Sequence, residues 1–356
     1  MRKLWLASVI TAAAFATAYF SQPAQAQSGP YKVVNKVKGA ENGGMDYIYA
    51  DTAGRKLYIP RRNPNRITVY DLDTLAKVGE IPNVGAAGAA VSPKSGHGFS
   101  TSRPIAMWDT KTLMPIKTIE VMGGPDGILY DAFNDHVYIW SHSAPNATVL
   151  NAADGAILGT IDLGGAPEQA VTDGKGKIYV DIEDKANIAV VDAKTMTVTA
   201  HYDLQGKGGT CAGLAMDVKN NILFAACRNP QTMVILNAAD GKILSTLPIG
   251  QGTDGAVFNP NTMEAFSSQG DGTLTVIKEN SPTDFVVEQN VQTMVGAKTL
   301  TLDTKTNQIY LMSVEYAPPP PPDPNAPAPA AGGRGGRGGG RGAVVPDSFT
   351  IVVVGK

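Results

Sequence analysis

Cysteine, charge and long apolar runs are all scarce in this sequence of 356 residues. Cys211 and Cys227 are its only cysteines, and charged residues make up 17% of the chain with a formal net charge of −2. A chain without a basic excess offers no electrostatic attraction to nucleic acid or an anionic membrane. Apart from one run near the N-terminus, no apolar stretch is long enough to cross a bilayer.

The motifs of several enzyme classes are missing as well. The sequence has no Gly-x-Ser-x-Gly elbow, no His-Glu-x-x-His pair and no Gly-x-Gly-x-x-Gly run after a predicted strand. We interpret its glycine pairs at Gly123-Gly124 and Gly208-Gly209 as tight connections between strands rather than phosphate cradles. The sequence therefore predicts none of the reactions that these motifs perform.

The N-terminus has the pattern of an export signal peptide. Arg2 and Lys3 precede an apolar run from Leu4 to about Ala18, and Ala24-Gln25-Ala26 forms a small-x-small cleavage site. The run is short for a membrane anchor, and no cysteine follows it that could carry a lipid. We expect residues 1–26 to be removed, which takes away two positive charges and leaves a net charge of −4. The mature chain is then expected to be periplasmic or secreted.

A repeat of about 40 residues fills the rest of the sequence. Each copy has a short apolar segment with a central aromatic residue, and most copies have a second segment that ends in Asp or Asn. The aromatic positions are Tyr58, Phe99, Tyr138, Tyr179, Phe224, Phe266 and Tyr310. The Asp or Asn positions are Asp71, Asp109, Asn151, Asp192 and Asn237, at intervals of 38, 42, 41 and 45 residues. Such a period is typical of propeller blades, with the aromatics packing between blades and the Asp or Asn forming turns.

Seven copies predict an all-β fold, a seven-bladed β-propeller with four-stranded antiparallel blades. The last copy has no fourth strand after DSFTIVVVGK (Asp347 to Lys356), whereas the mature chain begins with an unassigned strand, YKVVNKVKG (Tyr31 to Gly39). Placing this first strand in the last blade closes the ring and covers an edge that would otherwise aggregate. Residues 27–356 are therefore predicted to form one domain.

One segment departs from the repeat, at about Tyr316 to Pro346, between the second and third strands of the last blade. Its proline-rich half favours polyproline II, and its glycine-rich half, which contains Arg334, Arg337 and Arg341, favours flexible coil. This composition cannot bury a core, so we expect disorder. The segment is either a solvated tether or a docking arm for a polymer.

The repeats KLYIPRRNPNRITVYDLDT (from Lys56) and KIYVDIEDKANIAVVDAKT (from Lys177) resemble those of the YVTN-repeat β-propellers. The resemblance covers about Tyr31 to Tyr316 and again Asp347 to Lys356, and it implies an exported or surface-exposed seven-bladed propeller. That family includes surface-layer modules, periplasmic binding proteins, lyases and lactonases. Ile59-Pro60, Ile139-Trp140 and Val180-Asp181 replace parts of its Tyr-Val-Thr-Asn tetrapeptide, so the resemblance implies a fold rather than one activity.

Propeller ligands usually bind at the end of the channel where the first strands of the blades begin. Aligning the repeats places these residues at the starts of the first strands: Asp46, Ala87, Asp126, Glu168, Ala212, Asp254 and Lys298. The same alignment places these residues at the ends of the second strands: Arg62, Arg103, His142, Glu183, Arg228, Gly270 and Val314. The first set is mainly acidic and the second mainly cationic. The predicted ligand-binding residues are Asp46, Asp126, Glu168, Asp254, Lys298, Arg62, Arg103, His142 and Arg228.

Such a mouth suits a zwitterion, an amine or a metal–anion pair, and crowded carboxylates raise one another's pKa. A water-filled channel whose acids bond neighbouring amides would explain the same residues. We predict no metal site, because calcium needs six or more oxygens and zinc needs converging His or Cys. Of His97, His136, His142 and His201, only His142 is placed near the mouth. No cofactor is predicted.

Cys211 and Cys227 lie at equal distances in sequence from Lys219, the centre of a predicted turn between two strands of the fifth blade. Residues directly opposed in a hairpin have Cβ separations that suit a disulfide. Because an exported protein permits this bond, we expect it to form, with free buried thiols as the alternative.

Together these features favour a monomeric, non-catalytic propeller that binds an unknown small molecule or cell-envelope component. Nucleic acid is not the expected partner. Two alternatives stay open. One is a lactonase-like hydrolase or lyase with acid–base residues drawn from Asp126, Glu168, Asp254 and His142. The other is a scaffold that binds DNA or an envelope polymer through the Arg-Gly arm.

Overall fold

Seven four-stranded antiparallel sheets form a seven-bladed β-propeller in the computed structural model of the chain. The structure describes residues 28–39, 43–144, 146–318 and 342–356. The predicted signal peptide and most of the proline- and glycine-rich segment lie outside these ranges. Within them, no helix combines the length and apolar character needed to cross a membrane.

The first three blades follow one another along the chain. Blade 1 consists of β2 (Tyr49–Asp51), β3 (Lys56–Arg61), β4 (Arg66–Asp71) and β5 (Lys77–Pro82). Blade 2 consists of β6 (Ala89–Ser92), β7 (His97–Ser100), β8 (Ile105–Asp109) and β9 (Pro115–Ile119). Blade 3 consists of β10 (Pro125–Asp131), β11 (His136–Ser141), β12 (Ala147–Asn151) and β13 (Ile157–Ile161).

The next three blades repeat this order. Blade 4 consists of β14 (Pro167–Thr172), β15 (Lys177–Ile182), β16 (Asn187–Asp192) and β17 (Thr197–Asp203), with a 3-10 turn at Glu183–Lys185. Blade 5 consists of β18 (Cys211–Asp217), β19 (Ile222–Arg228), β20 (Gln231–Asn237) and β21 (Ile243–Pro248). Blade 6 consists of β22 (Thr253–Asn259), β23 (Glu264–Gln269), β24 (Thr273–Ser281) and β25 (Asp284–Gln292).

Blade 7 is built from both ends of the chain. It consists of β26 (Leu300–Asp303), β27 (Gln308–Ser313), β28 (Thr350–Gly355) and, as its outermost strand, β1 (Lys32–Lys38). β1 pairs antiparallel with β28, and Val37 lies opposite Ile351. The predicted closure of the ring by the N-terminal strand is therefore confirmed, and the inserted segment leaves the blade between its second and third strands.

The first strands begin close to their predicted starts, with the largest difference in blade 1. There β2 begins at Tyr49, three residues after Asp46. The segment before it still lies along the blade, because Gly44 donates a backbone hydrogen bond to Asn63 and accepts one from Arg62. Asp46 therefore remains on the face where the first strands begin.

The repeated aromatic residues pack between blades, as predicted. All seven are at most 2% exposed. Tyr179 donates its hydroxyl to the Ala238 carbonyl of the next blade at 2.9 Å, and Tyr310 reaches the Leu72 carbonyl at 3.3 Å. Both acceptors follow the Asp or Asn that ends a third strand. Each such tyrosine thus buries an apolar ring and also satisfies its polar end.

Turn chemistry and the disulfide also follow the predictions. The Asp192 side chain accepts hydrogen bonds from the backbone amides of Lys194 and Thr195, at 3.0 and 2.8 Å. Such bonds close the turn after the third strand. Cys211 lies directly opposite Cys227 in the hairpin of β18 and β19, and the two form a disulfide.

Candidate ligand site at the channel mouth

The four predicted carboxylates are buried together at the face where the first strands begin. Asp46, Asp126, Glu168 and Asp254 are between 2% and 7% exposed. Each belongs to the start of a different blade, so the curvature of the ring brings them together from distant parts of the sequence. Because buried carboxylates need charged or polar partners, the residues around them decide what this site can do.

Lys298 and Arg228 neutralise one side of the mouth. Lys298 Nζ lies 3.0 Å from Asp46 Oδ1 and also contacts Asp254. Arg228 contacts Asp254 as well, and its Nη1 lies 2.6 Å from Glu183 Oε1. Its Nε also donates a hydrogen bond to a backbone carbonyl in blade 6. These contacts link blades 4, 5, 6, 7 and 1.

Arg62 and His142 stand on the other side. Arg62 Nη2 lies 2.5 Å from Asp126 Oδ1 and 3.5 Å from Asp46 Oδ2. His142 Nε2 lies 3.4 Å from Glu168 Oε1 and 3.8 Å from Asp126 Oδ2. Blades 1, 3 and 4 are thereby connected, and Glu168 also interacts with Glu183.

The contacts close into a circuit that we call the charged ring. It consists of Asp46, Arg62, Asp126, His142, Glu168, Glu183, Arg228, Asp254 and Lys298. Five carboxylates face three permanent cations, and the ninth member is a histidine. The permanent cations lie towards blades 1, 5 and 7, which leaves the side of blades 3 and 4 with the least positive charge.

The acids of the charged ring hold protons unequally. Burial raises the pKa of Asp126, and neighbouring carboxylates raise it further. Burial also raises the pKa of Glu183, and the charge of Glu168 adds to the effect. Burial acts on Glu168 too, but contact with His142, helped by the charge of Arg228 and a hydrogen bond with Glu183, outweighs it and lowers the pKa of that carboxyl. The same contact raises the pKa of His142 against the opposing effect of burial.

Arg103 is the one predicted ligand-binding residue that does not join the ring. Its side chain is exposed on blade 2, and none of the ion pairs among the described residues involves it. The residue that opens this blade, Ala87, carries no charge that could hold a guanidinium at the mouth. Blade 2 therefore contributes nothing to the charged ring.

The structure adds three residues that the predicted set omitted. Glu183 was aligned with the second-strand ends but was not selected. Tyr47 donates its hydroxyl to Glu168 Oε2 at 3.3 Å. Asp181 lies fully buried at the end of β15, and burial together with the charge of Glu168 raises its pKa well above the usual range. In the alignment of the repeats, Asp181 occupies the position that Pro60 and Trp140 occupy in other blades. An acid at a position that is apolar in those repeats was the sequence feature that could have identified it.

A cavity opens beside the charged ring between blades 1 and 7. Its volume is about 540 Å³. Asp46, Arg62 and Lys298 line one side, and the rest of the wall includes Met45, Met312, Val314, Tyr316 and Val344. The volume falls within the range of about 300–1,000 Å³ that is usual for small-molecule sites.

Three donor atoms converge on the opposite side of the ring. Asp126, His142 and Glu168 each offer one atom, and these atoms lie within 4.8 Å of one another. The sequence predicted no metal site, because calcium needs six or more oxygens and zinc needs converging His or Cys. In the structure the acids that open blades 3 and 4 both lie close to a single histidine.

Comparison with known proteins supports the fold. No family model matches the chain, and no curated protein matches it in sequence. A hydrazine synthase structure from Kuenenia stuttgartiensis superimposes with a TM-score of 0.65 and 15% identity, over 77% of this chain and 94% of the other. The structure of U3-55K superimposes with a TM-score of 0.68 and 10% identity, over 92% of this chain and 99% of the other. At these identities the likeness shows the propeller fold alone.

Proposed function

We propose that this protein is an exported, non-catalytic binding protein that takes a small zwitterionic ligand at its channel mouth. The observation that carries the proposal is the position of the 540 Å³ cavity directly beside charges of both signs in the charged ring. The apolar wall suits the body of a ligand, and the ring suits a head group that carries an ammonium and a carboxylate.

The exposure of the charged side chains favours a ligand whose carboxylate contacts Arg62. The side chains of Arg62 and Lys298 are 47% and 23% exposed, whereas that of Asp46 between them is 5% exposed. A ligand carboxylate therefore meets Arg62 first and can form charge-assisted hydrogen bonds with it. An ammonium on the same head group would lie close to Asp46.

Three related probes test the proposal: L-phenylalanine, 3-phenylpropionate without the ammonium, and phenethylamine without the carboxylate. Calorimetric titration in metal-free buffer should show the tightest binding for the zwitterion. Arg62→Gln should weaken its binding about 10- to 100-fold, because a charge-assisted hydrogen bond contributes roughly 1.5–3 kcal/mol.

Arg103→Gln is the matched control, because it removes a guanidinium from the same face but outside the charged ring. It should leave the affinity unchanged. The proposal is wrong if no probe binds more tightly than about 1 mM, or if both arginine variants lose affinity equally.

One observation favours an enzyme as the second candidate. His142 has a raised pKa and lies 3.4 Å from Glu168, a distance from which the two could share acid–base work in a hydrolase or lyase. Turnover of a lactone panel by the purified protein, lost in His142→Gln and kept in His201→Gln, would favour this candidate over the binding protein.

Export and family membership are part of the same proposal. Export is supported by the signal-peptide pattern of residues 1–26 and by the Cys211–Cys227 disulfide, since disulfides persist in oxidising compartments. The repeats around Lys56 and Lys177 support membership of the YVTN-repeat propellers.

A further inference from the structure

We propose that Asp126, His142 and Glu168 bind one divalent transition-metal ion, with zinc as the best fit, on the side of the charged ring formed by blades 3 and 4. None of these three residues lines the cavity described above, although Arg62 lines it and also contacts Asp126. The metal proposal does not depend on the ligand proposed for that cavity.

The distances between the donor atoms fit a small ion. His142 Nε2 lies 3.4 Å from Glu168 Oε1 and 3.8 Å from Asp126 Oδ2. In a tetrahedral zinc site with bonds of about 2.0–2.1 Å, neighbouring ligand atoms lie about 3.3 Å apart. Shifts of a few tenths of an ångström would bring His142 Nε2 to this spacing from each carboxylate oxygen. The two carboxylate oxygens, which lie within 4.8 Å of each other, would also have to move together around the ion.

Two of these atoms have no hydrogen-bond partner among the described residues. Glu168 Oε1 and His142 Nε2 are buried and make no hydrogen bond, although they lie close to each other. The Glu168 side chain is only 2% exposed, so water cannot readily satisfy its oxygen. Buried polar atoms almost always have a partner, and a metal ion would supply one for both atoms.

The other oxygen of each carboxylate accepts a hydrogen bond from a residue outside the proposed ligand set. Asp126 Oδ1 accepts a hydrogen bond from Arg62 at 2.5 Å, and Glu168 Oε2 accepts one from the Tyr47 hydroxyl at 3.3 Å. Each acid thus turns one oxygen to a supporting donor and the other towards His142. Metal-binding carboxylates are commonly oriented in this way by a second layer of hydrogen bonds.

The donor set selects among metal ions. One imidazole nitrogen and two carboxylate oxygens suit zinc and similar ions, which accept nitrogen and low coordination numbers. Calcium takes six to eight oxygens, and three side chains cannot provide them. Three protein donors also leave a fourth position open for water or a ligand anion.

The experiment uses the full chain after treatment with a chelator. Metal analysis and calorimetry should show one Zn²⁺ bound per chain, with Ca²⁺ binding much more weakly. His142→Gln and Glu168→Gln should each reduce Zn²⁺ affinity at least tenfold. His201→Gln is the control, because His201 is exposed on an outer strand, and its Zn²⁺ affinity should match the wild type.

Tyr47→Phe provides a second, milder variant in case the ligand variants do not fold. It removes the hydroxyl that holds Glu168 and should weaken Zn²⁺ binding about tenfold while the fold is retained. The proposal is overturned if the wild type binds no Zn²⁺, or if the folded variants of this site bind Zn²⁺ as tightly as His201→Gln.

Discussion

Arg55 of blade 1 and Asp303 of blade 7 form a bidentate ion pair between the first and last blades of the ring. Arg55 Nη1 lies 2.9 Å from Asp303 Oδ1, and Nη2 lies 2.9 Å from Oδ2. The Asp303 side chain is fully buried and that of Arg55 is 18% exposed. Its two parallel bonds and its burial distinguish this pair from an ordinary surface salt bridge.

Asp303→Asn should lower the free energy of unfolding by about 2 kcal/mol, because it removes a buried negative charge and replaces one acceptor oxygen with an NH2 group that cannot accept from Arg55. Urea denaturation measures the change. Glu315→Gln is the control, since it breaks the exposed Lys38–Glu315 pair, which should contribute less than about 1 kcal/mol. Equal effects of the two variants would show that the buried pair has no special role.

Removal of β1 should expose the edge of β28 and cause aggregation. A chain beginning after Gly39 lacks the strand that pairs with Thr350–Gly355, and unpaired edges associate with one another. Size-exclusion chromatography should show loss of the monomer peak, and a synthetic peptide of residues 28–39 should restore it. A stable monomer without the peptide would contradict the closure of the ring by this strand.

Reduction of the Cys211–Cys227 disulfide should destabilise the protein by about 3 kcal/mol, the value expected for a loop of this length. The two cysteines are separated by 16 residues. Thermal unfolding with and without reductant measures the effect. The double variant Cys211→Ala with Cys227→Ala is the control and should show no response to reductant. An unchanged wild-type transition after complete reduction would refute the prediction.

Glu279 on β24 should make stability depend on pH. Burial raises the pKa of Glu279 to about 7, and the nearby Asp217 carboxylate adds to the shift. The folded state therefore binds this proton more tightly than the unfolded state. Stability is then greatest below the usual pKa and falls as pH rises through about 7.

The wild type should lose about 2–3 kcal/mol more than Glu279→Gln between pH 5 and pH 8, because the glutamine has no proton to lose. Urea denaturation at several pH values measures both slopes. Parallel slopes for the two proteins would show that Glu279 titrates normally in the fold.

Much of the fold could be predicted from the sequence because it rests on local signals that recur. An aromatic position such as Tyr179 marks every unit, and a turn-forming Asp or Asn such as Asp192 marks most of them. The spare strand at Tyr31 to Gly39 matched a missing one. The Cys211–Cys227 pairing followed from simple hairpin register. Each of these inferences needs only the spacing of residues in sequence within one strand or one hairpin.

The candidate site was predictable only in part, because its contacts cross the channel. Alignment could place Arg62 and Arg103 at equivalent positions, but it could not show that only Arg62 reaches a carboxylate. The alignment also assigned Asp126 and Glu168 to two different blades, and it gave no sign that their side chains meet. Their approach to His142 depends on the curvature of the ring and on side-chain direction, which a repeat pattern does not contain.

The central claim is that the buried acids of the charged ring bind a ligand or metal at some cost to stability. The most direct test compares Asp126→Asn with the wild type by urea denaturation and by Zn²⁺ titration of the metal-free proteins at pH 7. Because burial and neighbouring carboxylates disfavour ionised Asp126, the variant should be at least as stable as the wild type while its Zn²⁺ affinity falls. A variant that is more than about 1 kcal/mol less stable and binds Zn²⁺ as tightly as the wild type would contradict the account.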